Sequence, residues 1–233
     1  MFRFKQFSID DTHCAHKVGT DGVLLGAWAE GGTHILDIGT GSGLIALMMA
    51  QRFPLARIDA VEKDPSAAQQ AEENIARSPF KYVKVYGDTL EAFTSHTQAS
   101  SYDSLVCNPP FFMDSLKNPD PLRTQARHTD SLPPDVLFSC AARLLCEGGK
   151  LSLIIPREVV EVFISKAQEH NVLLTQQLNV YTTPKKAAKR TLLVFQKCTS
   201  NCQFLPVIEE QILTLDGLKR SDWYQQLTRD FYL

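Results

Sequence analysis

A chain of 233 residues is long enough for one complete α/β domain with a sizeable core, and a tight fit for two full ones. Hydrophobic residues make up 44% and charged residues 21%, and the formal net charge is −2, so bulk positive charge is excluded as the means of holding a polyanion. Any nucleic-acid contact must come from a local basic patch.

Met1–Phe7 carries no apolar core of signal-peptide length, and runs such as Leu44–Ala50 are far too short to span a bilayer. The expectation is a cytoplasmic protein without a membrane partner. The six cysteines (14, 107, 140, 146, 198 and 202) read as reduced, mostly buried thiols. Cys198 and Cys202 are the one close pair, and no second pair at zinc spacing accompanies them, so no metal is expected.

Residues 1–33 read as an extension of a single domain spanning 1–233. From His34 the chain alternates short β-branched or apolar runs with helical patterns. The expected strands are His34–Ile38, Arg57–Glu62, Tyr82–Tyr86, Tyr102–Cys107, Lys150–Ile155, Val172–Val180 and Thr191–Lys197. Helices are expected at Leu44–Phe53, Pro65–Arg77, Pro134–Cys146 and near Glu158–His170. Asp64 can cap the second of these, Pro65 suits its first position, and Ala68, Ala71 and Ile75 recur on one face. Such alternation implies right-handed crossovers and a mostly parallel sheet covered on both sides. No helical pattern separates the last two strands, which favours an antiparallel hairpin there. The stretch 113–134 holds four prolines and little periodicity, and reads as a long loop, of the kind that is functional or mobile in a compact domain. The polar tail from Asp216 to Leu233 should dock on the body.

The first strand runs into Asp37-Ile38-Gly39-Thr40-Gly41-Ser42-Gly43, a glycine-rich turn opening a helix. Glycine lets backbone and ligand approach closely, and the helix start offers free N–H groups. Leu44 stands where a dinucleotide fingerprint needs its third glycine, and Asp37 would repel a pyrophosphate. The turn suits the cationic end of S-adenosylmethionine better. Glu62, nineteen residues past Gly43, can accept from both ribose hydroxyls, and Asp88 is placed to meet the adenine edge.

The fourth strand ends in Asn108-Pro109-Pro110-Phe111. An adenine amino nitrogen is a poor nucleophile because its lone pair is delocalised into the ring. Two acceptors aimed at its N–H bonds, the Asn108 side-chain oxygen and the Pro109 carbonyl, would favour a more tetrahedral nitrogen. Pro109 and Pro110 preset an extended backbone, and Phe111 offers a flat face for an extruded base. The motif is specific to amino-nitrogen methylation, not to one substrate.

These residues resemble the class I methyltransferases with an Asn-Pro-Pro-aromatic motif, and within them the bacterial tRNA1(Val) (adenine(37)-N6)-methyltransferase family. The likeness extends over nearly the whole chain, including Lys17–Trp28 and the ending Arg229–Leu233. It implies an α/β, Rossmann-like class I methyltransferase fold with a seven-stranded, mostly parallel sheet and a C-terminal antiparallel hairpin. It implies S-adenosylmethionine as cofactor, tRNA as partner and no obligate protein partner. In such enzymes the segment before the first strand lies beside the cofactor, which makes Lys17, Thr20 and Asp21 candidates to contact it, and Asn108 is expected to border the cofactor as well as the acceptor amine. His16 departs from the apolar residue expected there, and reads as a packed or solvent-facing substitution rather than a base.

On the substrate side, Lys185, Lys186, Lys189 and Arg190 cluster at the proposed hairpin tip, and Arg123, Arg127 and His128 lie in the long loop. Cations flanking the Asn108 pocket would hold neighbouring phosphates. Methylation of a protein glutamine amide can use a similar motif, but in enzymes with a larger N-terminal helical domain; a guanine amino group or DNA stays open. An NAD-dependent oxidoreductase would need the other glycine spacing, and a non-catalytic binder has no need of the amino-nitrogen acceptors.

Overall fold

Apolar side chains alternate between the two faces of the central strands, and this alternation divides the core in two. In a computed structural model describing residues 1–110, 132–198, 202 and 204–232, Ile35, Ile58, Val106 and Ile154 point to one face. Their neighbours Leu36, Leu105, Leu153 and Ile155 point to the other.

The elements in chain order are β1 (Phe2–Arg3), β2 (Ser8–Ile9), α1 (Thr20–Trp28), β3 (His34–Ile38), α2 (Leu44–Arg52), β4 (Arg57–Glu62), α3 (Pro65–Arg77), β5 (Val83–Gly87) and α4 (Leu90–His96). There follow β6 (Tyr102–Cys107), α5 (Pro134–Leu144), β7 (Leu145–Pro156), a 3-10 turn (Arg157–Val159), α6 (Val160–Glu169), β8 (Val172–Tyr181), β9 (Ala188–Lys197), β10 (Val207–Ile212) and α7 (Asp222–Thr228). The main sheet has the order β10-β8-β9-β7-β6-β3-β4-β5. Only β9 runs antiparallel to its neighbours, so the expected hairpin is β8–β9. All seven expected strands are present.

The sheet has an eighth strand, β10, which the sequence reading did not include. It pairs parallel with β8, from Val207↔Gln176 to Ile212↔Tyr181. Its first four residues are exposed, so no face is buried strongly enough to impress a period on the sequence. A short β1–β2 ribbon and α1 also precede β3, within the expected extension. The tail docks as expected: Phe231 is 2% exposed, and its carbonyl accepts the Lys5 N–H at 2.8 Å. Cys198 and Cys202 differ from expectation. They are joined as a disulfide, their Cα atoms 6.2 Å apart and thus within bridging range, a separation that sequence spacing alone does not reveal.

Helix α1 lies backbone-close on α2, the helix that follows the glycine turn. A Cβ on Gly26 would stand 2.6 Å from Met48 Sδ and 2.9 Å from Met48 Cβ, and one on Gly22 3.0 Å from Leu44 Cδ2. Gly26→Val is therefore expected to lower unfolding free energy by about 1–3 kcal/mol through overpacking. Urea denaturation is the check, and a midpoint equal to wild type would contradict the close approach.

Candidate active site

The chain visits β3, β4 and β5 on one side, then crosses back to lay β6 on the other side of β3. The reversal puts a crevice at the carboxyl ends of β3 and β6, where open α/β sheets bind ligands. Ile38 and Cys107 are register partners, so the turn at 39–43 and the Asn108 motif leave adjacent strands side by side.

Gly39, Gly41 and Gly43 have φ of +69°, +55° and +81°. The turn is anchored by Gly39 and Thr40 N–H groups donating to Val61 O, at 2.9 and 3.1 Å. A Cβ added at Gly39 or Gly41 would meet nothing within 4 Å, so the turn faces open space. Behind it, Asp37 is fully buried. Its Oδ2 accepts from Thr40 Oγ1 at 2.6 Å and from Ala46 N–H at 3.0 Å. Its Oδ1 has no hydrogen-bond partner among the described residues. Burial lifts its pKa to about 7 despite those two bonds, with the nearby Glu62 charge adding to the rise.

Glu62 ends β4 and reaches over the turn. Its Oε2 accepts from Gly41 N–H and its Oε1 from Asp64 N–H, both at 2.9 Å. Asp88 follows β5, and its carboxylate accepts from Thr89 N–H at 2.8 Å. The cap of α4 is Thr89, whose hydroxyl accepts from Ala92 N–H.

The N-terminal segment packs against this turn through Asn74 of α3, a residue the sequence reading missed. Fully buried, Asn74 donates from Nδ2 to Asp10 O at 2.7 Å and to Ser42 O at 2.8 Å, while its Oδ1 accepts from Asp10 N–H at 2.9 Å. The one available signal was a polar side chain, like Gln70, on the alanine-rich buried face of α3. The Cys14 thiol is pushed up to about 11, first by burial and then by the Asp11 and Glu62 carboxylates. Lys17 Nζ donates to Asp11 O at 2.6 Å and to Thr12 O at 3.2 Å, and Thr20 begins α1. His16 is exposed.

Asn108 is half-buried at the end of β6, with Pro109 buried behind it. Phe111 lies outside the described residues, as do Arg123, Arg127 and His128. Lys185, Lys186 and Lys189 are exposed at the β8–β9 tip, at the same end of the sheet as Asn108. Arg190 differs from them. Its Nε donates to Asp21 Oδ2 at 2.7 Å, so two residues expected to face different ligands hold one another.

The family model described as the methyltransferase small domain matches residues 18–189. A tRNA1(Val) (adenine(37)-N6)-methyltransferase of Bacteroides thetaiotaomicron is 45% identical, covering 100% of this chain and 97% of that protein. One of Pectobacterium carotovorum is 43% identical, covering 100% and 93%. The chain belongs to the tRNA1(Val) (adenine(37)-N6)-methyltransferase family. A solved structure from Agrobacterium tumefaciens, described as a predicted O-methyltransferase, shares the fold with a TM-score of 0.71 at 16% identity, covering 91% of this chain and 96% of that one.

A methyltransferase of this family takes its methyl group from S-adenosylmethionine, and the residues present fit that group. The open cradle at Gly39 and Gly41 leaves room for it. The partnerless Asp37 oxygen suits a cation, and each Glu62 oxygen keeps acceptor capacity for a ribose hydroxyl beyond the N–H it already holds. Glu62→Gln is expected to weaken donor binding about 10–100-fold, the worth of hydrogen bonds to a charged acceptor. Calorimetric titration with the donor checks this; unchanged affinity would exclude Glu62 from the ribose. Among the described residues no group of His, Cys, Asp or Glu could hold a metal, and no helix is long and apolar enough to cross a membrane.

Proposed function

We propose that this protein methylates the N6 amino nitrogen of adenine 37 in tRNA1(Val), in the cytoplasm and without an obligate protein partner. The observation that carries the reading is the placement of Asn108-Pro109-Pro110 at the end of β6, beside the glycine turn at the switch point. The whole chain, 1–233, acts as one methyltransferase domain in this reading, with 1–33 completing the cofactor site.

The cofactor supplies an already activated methyl group, so the protein's task is alignment. The Asn108 side-chain oxygen and the Pro109 carbonyl accept hydrogen bonds from the two amino N–H groups and aim the nitrogen lone pair at the methyl carbon. Pro110 holds Pro109 extended, and Phe111 stacks on the base drawn out of the anticodon loop. Glu62 takes the ribose, Asp88 the adenine edge of the cofactor, and Asp37, through its charge, the cationic end. Gly39, Gly41 and Gly43 give the cofactor room, and Lys17 and Thr20 border it. Lys185, Lys186 and Lys189, with Arg123, Arg127 and His128, neutralise phosphates around the extruded base.

Two tRNA1(Val) transcripts differing only in adenosine or guanosine at position 37 test the assignment. Methyl incorporation into the adenosine transcript alone is expected. Equal incorporation into both would place the methyl group elsewhere.

A further inference from the structure

The basic side chains of the C-terminal segment have no part in the function described so far. After β10 the chain turns back over residues 214–220, and this turn is fastened to the β8–β9 hairpin. Leu213 N–H donates to Tyr181 O at 2.8 Å, and Thr214 donates to Thr182 O from its N–H at 3.1 Å and its hydroxyl at 2.7 Å. The turn is closed by Leu215 N–H on Lys219 O at 2.9 Å, and the Asp216 carboxylate is engaged by the N–H groups of Leu218 and Lys219. Because β8 runs parallel to β6 and β3 through the intervening strands, the turn sits at the end of the sheet that carries Asn108.

Charge gathers there. Residues 182–190 and 214–220 together contain six cations and one carboxylate, in a chain whose net charge is −2. Arg190 is committed to Asp21, whereas Lys219 and Arg220 are exposed. The Arg220 guanidinium is oriented by stacking 4.5 Å over the Tyr224 ring. Beside it a groove of about 590 Å³ opens between α7 and the start of α1, lined by Arg220, Gln225 and Arg229 on the α7 side and by Gly19 and Thr20 on the other. Arg229 approaches one carboxylate loosely, Asp230 at 3.7 Å, with both side chains largely exposed.

Guanidinium groups and an amide on a concave wall, continuous with a lysine-bearing ridge, match a ribose–phosphate strand. We propose that the 214–220 turn and the groove beneath it form a second RNA-contacting surface, which grips tRNA backbone phosphates away from the methylated nucleotide. The proposal rests on the reading of tRNA as substrate.

The test uses the full-length protein, unmodified tRNA and the variant Lys219→Gln/Arg220→Gln/Arg229→Gln, with binding measured across a salt series. The tRNA dissociation constant is expected to rise at least about tenfold, and the slope of log affinity against log salt to flatten by about 2–3, one unit or slightly less per lost phosphate contact. Affinity for the methyl donor should stay unchanged. Since Arg220 also stacks on Tyr224, Lys219→Gln alone serves as the mild variant, with a slope change of about 0.7–0.9. If the wild type methylates tRNA while both variants keep its affinity and salt slope, the surface is not an RNA site. If only self-association changes, the groove belongs to a second copy of the chain and the proposal falls. A wild type that neither binds nor methylates tRNA would overturn the substrate reading itself.

Discussion

Asn108→Ala is expected to lower kcat for tRNA methylation by about 10²–10³-fold, the usual cost of removing one preorganised polar group at a reacting centre. Affinity for the methyl donor should change by less than about tenfold, because the turn at 39–43 and Glu62 are untouched. The split follows from where Asn108 stands. It follows β6, one strand over from the glycine turn, and in the proposed reading its amide oxygen serves the acceptor substrate while the ends of β3 and β4 serve the donor. Alanine leaves the Pro109 carbonyl as the one remaining acceptor for two amino protons. Single-turnover kinetics with saturating donor isolates the step. A variant with wild-type kcat, or one that loses donor binding and chemistry together, would assign Asn108 to a different task.

Asp37 has the second large expected effect, and it depends on pH. Burial holds its folded pKa near 7, against 3.8 for the ordinary carboxyl. Stability from this group is therefore fully present below about pH 4 and lost as pH rises to about 7; it is constant above. About three pKa units correspond to a loss on the order of 4 kcal/mol. Asp37→Asn keeps the shape and removes the ionisation, so its stability should lack this decline between pH 4 and 7. Donor binding runs the other way. A cation bound near the buried Asp37 favours the carboxylate, so donor affinity should climb up to about tenfold per pH unit until pH 7 and then level off. In Asp37→Asn the affinity should be weaker at pH 8 and lose this climb. Calorimetry in buffers of different ionisation enthalpy reads the released proton directly. Donor binding with no proton release below pH 7 would show that Asp37 does not face the cation.

Much of the scaffold that positions these groups was legible because local and tertiary requirements coincide. The α3 start was readable from Asp64 and Pro65, and the Asp64 carboxylate does accept from Ser66 and Ala67 N–H groups, at 2.8 and 3.0 Å. Strands β3, β4 and β6 are short apolar runs because helices cover both faces. Helix α1 went unread for the opposite reason. Gly22 through Ala27 are all buried, so no polar face marks a period. Edge strand β10 has too little burial to leave one.

Within the site, Asp37, Glu62 and the glycines are consecutive features of strand ends, and strand ends can be located from sequence. The Asn74 clamp and the Asp21–Arg190 pair cannot. The pair joins residues 169 positions apart, and each partner alone reads as an ordinary surface charge. Such contacts exist only once the sheet order has brought α1 beside β9.

The most direct measurement incubates wild type and Asn108→Ala in parallel with methyl-labelled S-adenosylmethionine and unmodified total tRNA, followed by digestion to nucleosides. Label in N6-methyladenosine that vanishes in the variant is the expected result. Label confined to another nucleoside, or to glutamine of a protein fraction while tRNA stays unlabelled, would contradict adenine methylation in tRNA.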